Sequence, residues 1–238
     1  MTRQAPTGKR SIQRDTGHGC GARPILLGHR GARALRSIPE NTLASFDRAI
    51  DDGCDGFEFD VRLSADSQAV ISHDPVCGDH KTGRLEIARS TAKQLAPLVS
   101  LPDILARYRK AFLDIELKVA GLEKIAIEHL RKERPRRFVV SSFLPQVLTD
   151  LQALERDLPL GLICETKTQM RCWPRLFIDY VILHHTLVRR ELIEDFHAAK
   201  KKVIVWTVNS EREMKRFAAW NVDGIISDDT KRLYQTLG

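Results

Sequence analysis

No stretch of the 238-residue chain is apolar for long enough to form a transmembrane helix. The first two dozen residues are polar and rich in Gly and Arg, and they lack the apolar h-region of a secretory signal. The five cysteines (Cys20, Cys54, Cys77, Cys164, Cys172) are odd in number and irregularly spaced, with no CxxC pair and no Cys/His zinc pattern. That argues against a disulfide framework and a structural zinc site, and for free thiols in a reducing compartment. A cytoplasmic location is the expectation. No GxGxxG follows an apolar run, which argues against a dinucleotide fold. The net charge of +7 leans toward anionic partners. However, the cations are scattered (Arg131-Lys132, Arg136-Arg137, Arg189-Arg190, Lys200-Lys201-Lys202), and no basic stretch is interleaved with aromatics. No specific nucleic-acid partner is therefore expected.

What is present is a repeating pattern. Hydrophobic residues make up 42% of the chain, enough for a sizeable core, and charged residues 29%. Residues 1–24 read as a flexible tail, and residues 25–238 as one domain. Short β-branched runs at 25–29, 56–61, 69–73, 112–118, 138–142, 160–164, 180–183, 203–208 and 224–227 alternate with amphipathic helical stretches. The first helix places Leu43, Phe46, Ala49 and Ile50 on one face, takes Asn41 or the turn before it as its cap, and stops at Gly53. Strand–helix alternation of this kind implies right-handed βαβ units, and about eight of them imply an α/β (β/α)8 TIM barrel. There are nine strand candidates for eight places. The ambiguity lies between 56–61 and 69–73, which no helix separates. Residues 74–100 form an irregular insertion after His73-Asp74-Pro75.

In such a barrel the chemistry gathers where strands end. Those ends carry His29-Arg30, Glu58 and Asp60, His73-Asp74, Glu116 and Lys118, Phe143, Glu165, His184-His185, Trp206 and Asp228. Glu58 and Asp60 are two apart on a strand and alternate with Phe57, Phe59 and Val61, so both point into the barrel. Two buried carboxylates repel each other unless a cation intervenes. A hard divalent ion, with Glu116 as a third oxygen donor, is one resolution; a buried ion network with Arg30 or Lys118 is the other. His29 and His73 suit a general base and a general acid flanking a phosphorus centre, with Arg30 and Lys118 as cations for its oxygens. Gly28 and Gly31 would let backbone and ligand approach closely beside His29.

Six elements in order carry a resemblance: His29-Arg30-Gly31, Pro39-Glu40-Asn41-Thr42, Glu58-Phe59-Asp60-Val61, His73-Asp74-Pro75, Glu116-Leu117-Lys118 and Trp206-Thr207-Val208-Asn209. Together they resemble the glycerophosphodiester phosphodiesterase family, across nearly all of residues 25–228. The resemblance implies a TIM barrel of the phospholipase-C-like phosphodiesterase type that cleaves a small glycerophosphodiester to glycerol 3-phosphate and an alcohol. It implies that Glu58, Asp60 and Glu116 hold Mg²⁺ or Ca²⁺ and that His29 and His73 are acid and base, with His29 the base in the order preferred here. Arg30 and Lys118 would bind phosphate, Trp206 would line the pocket, and Glu40 and Asn41 would serve substrate binding by supporting His29. Some features depart from the family's pattern. The turn Ala65-Asp66-Ser67-Gln68 lacks the usual glycine, the insertion after His73 is short, and the last strand ends Ser227-Asp228-Asp229-Thr230, keeping the aspartate. His80, His184 and His185 match no family role and read as rim or surface histidines. The alternatives are lysophospholipase D or sphingomyelinase-D-like cleavage of a lipid such as a lysophospholipid, and a non-catalytic barrel that binds a phosphorylated metabolite.

Overall fold

A computed structural model describes residues 23–78 and 83–238. The expected tail lies outside the described residues except for Arg23 and Pro24, and so do Cys20 and His80. Arg23 is tied to the barrel base by a two-pronged contact with Asp55, at 2.7 and 3.1 Å.

Eight parallel strands close on themselves: β1 (Ile25–Gly28), β2 (Gly56–Leu63), β6 (Phe112–Leu117), β7 (Arg137–Ser142), β8 (Leu160–Cys164), β9 (Tyr180–His184), β10 (Lys202–Trp206) and β11 (Gly224–Ser227). β1 pairs with both β11 and β2, which completes the barrel. The ninth candidate is β3 (Ala69–Ile71), which is not a barrel strand. It returns antiparallel on β2, with Ile71 opposite Val61. The chain then continues down past Asp60, whose carbonyl accepts from the Ser72 amide. His73 is thus delivered to the barrel mouth by a descending hairpin arm rather than by the rising end of a strand. The glycine-free turn of that hairpin closes through side chains. The Ser64 hydroxyl donates to Asp66 and accepts from the Gln68 amide, while Ser67 takes the left-handed conformation at φ 58°. The insertion also carries a two-residue hairpin, β4 (Val76–Cys77) with β5 (Leu85–Glu86), and a small core of Val70, Ile87 and Leu95.

The helices follow in order: α1 (Leu43–Asp51), α2 (Leu101–Arg107), α3 (Glu123–Glu133), α4 (Pro145–Leu154), a short α5 (Lys167–Met170), α6 (Arg190–Ala198), α7 (Glu211–Ala219) and α8 (Thr230–Leu237). No helix among the described residues is long and apolar enough to cross a membrane. Period-two alternation along the strands divides the interior into two layers. Outward residues pack under the helices, as where Phe57 stacks on Phe46 at 4.2 Å and meets Tyr108 edge-on at 4.8 Å. Inward residues such as Leu27, Val139, Ile163, Ile182, Ile204 and Ile226 fill the barrel itself. Burying each such side chain stabilises the fold by about 1.5–3 kcal/mol, which is ample to hold polar groups above them.

The cap of α1 is Thr42, whose side chain accepts from the Ser45 amide, because Asn41 is turned away to another task. The glycines beside His29 make room for helices rather than for a ligand. A Cβ on Gly28 would press on Ala49 and Thr230 at 2.9 Å. Gly31 has φ +85°, and a Cβ there would meet the Ser45 backbone at 2.6 to 2.7 Å. Gly31→Ala is therefore expected to destabilise the protein by about 2–4 kcal/mol, read as a lowered urea midpoint at unchanged slope; a shift under about 0.5 kcal/mol would contradict this packing.

Candidate active site

The C-terminal mouth holds a cavity of about 340 Å³. Its lining includes His29, Arg30, Glu58, His73, Glu116, Lys118 and Trp206, which lie far apart in sequence. The register of β2 on β6 places Glu58 beside Asp114 and Asp60 beside Glu116, so four acids share one patch of barrel wall. All four are buried.

Burial pushes the Glu58 carboxyl well above its ordinary range, and the charges of Asp60 and Glu116 add to the rise. Burial and the Asp60 charge bring Glu116 up to about 7. Burial likewise brings Asp114 to about 7, although the Ser141 hydroxyl donates to it at 2.5 Å. Burial acts on Asp60 too, but Lys118, Arg30 and the Asn41 amide outweigh it and hold Asp60 below its usual value. Lys118 Nζ lies 2.6 Å from Glu116 Oε1 and 3.3 Å from Asp60 Oδ1. Neither oxygen nevertheless receives a well-directed hydrogen bond.

His29 donates or accepts through Nδ1 at 2.7 Å from Asp228, which leaves Nε2 toward Glu58 at 3.9 Å. Burial lowers the His29 pKa against the pull of Asp228, so the ring is neutral near pH 7. Asp228 is itself held well below the carboxylate range, because His29, Asn209 and Arg33 together outweigh its burial. His73 is more exposed, with Nδ1 2.8 Å from Asp74 and its carbonyl gripped by Arg62 at 2.6 and 2.9 Å. Trp206 packs edge-on against Phe143 and His184, and its buried indole N–H has no partner among the described residues.

Two of the expected residues sit one step back from the cavity. Glu40 bonds Arg30 and Arg33 at 2.8 and 2.6 Å, and Asn41 donates to Asp60 at 2.8 Å. Neither supports His29, because Asp228 takes that place. Arg30 has φ 52°, and this turns its backbone N–H to Glu58 at 2.9 Å. The reading of strand ends missed Arg33, Asn209 as the clamp on Asp228, and Asp114. Two of them carry a visible signal: Asp114 stands two residues before Glu116 on the same face, and Asn209 ends the Trp206-Thr207-Val208-Asn209 element. His184 and His185 lie at the rim, with His185 3.5 Å from Glu213.

Glu58, Asp60 and Glu116 fit a hard divalent cation. They offer ligand oxygens within 4.8 Å of one another, and two of the inward oxygens lack directed donors. All the donors are carboxylates, the set that Mg²⁺ and Ca²⁺ take.

Fold and site together define the class: a TIM barrel whose mouth combines a buried carboxylate triad with two histidines. The model of the "Glycerophosphoryl diester phosphodiesterase family" matches residues 29–126 and 107–232. The chain belongs to this family. It is 27% identical over 234 residues to a glycerophosphodiester phosphodiesterase of Caldanaerobacter subterraneus subsp. tengcongensis, covering 88% of this chain and 96% of that one. A glycerophosphodiester phosphodiesterase of Bacillus altitudinis is 26% identical over 236 residues, covering 85% of this chain and 94% of that one. Among solved structures, an Oleispira antarctica phosphodiesterase in complex with the product sn-glycerol-3-phosphate superposes with a TM-score of 0.79 at 24% identity, covering 90% and 96% of the two chains. The Thermotoga maritima glycerophosphodiester phosphodiesterase gives 0.79 at 22%, covering 90% and 98%.

The raised carboxyls make stability depend on pH in a stated direction. Glu116 moves from an ordinary 4.5 up to about 7 on folding, so between those values the folded state binds more protons than the unfolded state. Stability therefore falls as pH rises through that window, and a cation that replaces the protons restores it. Urea midpoints in EDTA are expected to drop between pH 5 and pH 7.5, and millimolar Ca²⁺ or Mg²⁺ to recover the loss in the wild type but not in Glu58→Gln. Equal recovery in both proteins would overturn the triad as the cation site.

Proposed function

We propose that this chain hydrolyses glycerophosphodiesters to glycerol 3-phosphate and an alcohol, as a metal-dependent phosphoric diester hydrolase. The observation that carries this is one cavity lined by both histidines, two cations and Glu58 and Glu116, with Asp60 clustered beside those two acids, in a member of this family. The product-bound Oleispira antarctica relative supports glycerol 3-phosphate as the product.

Glu58, Asp60 and Glu116 would hold the cation, Mg²⁺ or Ca²⁺. When bound, it supplies charge to stabilise the phosphoryl oxygens and help activate the nucleophile. Lys118 and Arg30, both on the cavity wall, would bind the non-bridging oxygens. His29, kept neutral by burial and held by Asp228, is suited to take a proton from the attacking hydroxyl or water at Nε2. His73, oriented by Asp74 and by the grip of Arg62, would protonate the leaving oxygen. Trp206 would line the alcohol side. Glu40 and Asn41 would act through Arg30 and Asp60 rather than by touching substrate. The described cysteines (Cys54, Cys77, Cys164, Cys172) are free thiols, which supports a cytoplasmic location.

The test is incubation with glycerophosphocholine, glycerophosphoethanolamine and a lysophospholipid, in Mg²⁺, Ca²⁺ or EDTA, with each product measured. The expected result is glycerol 3-phosphate from the glycerophosphodiesters, abolished by EDTA. His29→Ala and His73→Ala are each expected to slow turnover by about 10²–10⁴-fold. Cleavage of the lysophospholipid alone would favour the lysophospholipase D reading, and no cleavage with any metal would reject the hydrolase.

A further inference from the structure

Asp114 has no part in the chemistry described so far, yet it lines the cavity in register with Glu58. It is 1% exposed. Ser141 donates to one carboxyl oxygen, while the other, Oδ2, is buried and has no partner among the described residues. Leaving a buried acceptor unpaired is costly, and such atoms persist where a ligand supplies the missing donor. The cation is not that ligand, because Asp114 stands outside the three-carboxylate group whose oxygens lie together. A phosphate oxygen is not it either, because it is an anionic acceptor facing a carboxyl oxygen. The missing partner must be a donor such as a hydroxyl.

The cavity decides which hydroxyl. Asp114 pairs in register with Glu58, two residue pairs below Asp60 and Glu116. Inward residues of three other strands, Ile163, Ile182 and Ile226, belong to the barrel-interior core and give the cavity an apolar lining below its polar mouth. The cations for phosphate, Arg30 and Lys118, stand above. A diester whose phosphate sits at Lys118 must send its small, constant end down into this apolar part of the cavity, and its variable alcohol out past Trp206. On the phosphodiesterase reading, on which this inference rests, the small end is glycerol.

We propose that Asp114 is a specificity-determining residue that accepts a hydrogen bond from a glycerol hydroxyl in the pocket. The test is calorimetric titration of the full chain, in Ca²⁺, with sn-glycerol 3-phosphate and separately with inorganic phosphate. Asp114→Ala is expected to weaken glycerol 3-phosphate binding on the order of tenfold, the worth of one hydrogen bond. Inorganic phosphate binding is expected to stay within about twofold. Asp114→Asn keeps the acceptor for Ser141 and offers the hydroxyl oxygen a donor, so it carries the same test with a smaller loss if the alanine variant does not fold. Equal weakening of both ligands, or unchanged glycerol 3-phosphate affinity, overturns the proposal. Wild-type hydrolysis of glycerophosphoethanolamine, assayed in parallel, separates the two readings. Absent hydrolysis rejects the phosphodiesterase, whereas unchanged product affinity in the variant of an active enzyme rejects only the role of Asp114.

Discussion

The pairing of β2 with β6 sets the central constraint of this molecule, because it stacks Glu58, Asp60, Asp114 and Glu116 on one patch of barrel wall. Four carboxyls in a place of low polarity cannot all ionise unaided. The surroundings divide them accordingly. Asp60 keeps its charge because Lys118, Arg30 and Asn41 converge on it, while burial pushes its three neighbours upward. Lys118 and Arg30 reduce the conflict without removing it, since oxygens of Asp60 and Glu116 still lack directed donors. A purely structural ion network would be expected to satisfy those atoms. Left unpaired beside a cavity that Glu58 and Glu116 line, they leave the patch suited to a further positive charge.

Around that patch the fold assigns each histidine a different setting. His29 leaves β1 through a turn that needs a left-handed Arg30 and Gly31, so His29 is pinned between the wall and Asp228. The chain from β1 to β11 closes the barrel at that point, and His29 thus depends on closure itself. His73 arrives on an arm that descends over the mouth and is more open to solvent. A buried neutral ring and an exposed ring on separate supports are well suited to opposite proton transfers.

Much of this was legible because strand periodicity exposes inward residues directly. Glu58 and Asp60, two apart between aromatics, announced the acid patch, and the eight-fold alternation announced the barrel. The direction of β3 is only half legible, since the missing helix allows a hairpin or a short accessory strand without choosing between them. An apolar run of three residues reads alike in parallel and antiparallel pairing, and only the Ser64–Gln68 turn, closed by side chains instead of glycine, reverses it. The partner of His29 was also hidden, since Asp228 lies 199 residues away and becomes its neighbour only through barrel closure. The turn of Glu40 and Asn41 stands out in sequence and adjacency points it at His29, whereas Glu40 pairs with Arg30 and the left-handed Asn41 aims its amide at Asp60. The position of Asp114 on the face of Glu116 is legible, but that Ser141 takes one of its oxygens and leaves the other unpaired is not.

The wall formed by β2 and β6 is the proposed cation site at the heart of the reaction chamber. Anomalous diffraction from crystals grown with Mn²⁺ and glycerol 3-phosphate tests it most directly. The expected result is one strong peak bounded by carboxylate oxygens of Glu58, Asp60 and Glu116, with the phosphate between it and Lys118. A fully ordered phosphate with no anomalous peak at that wall, or a peak held by other residues, would contradict it.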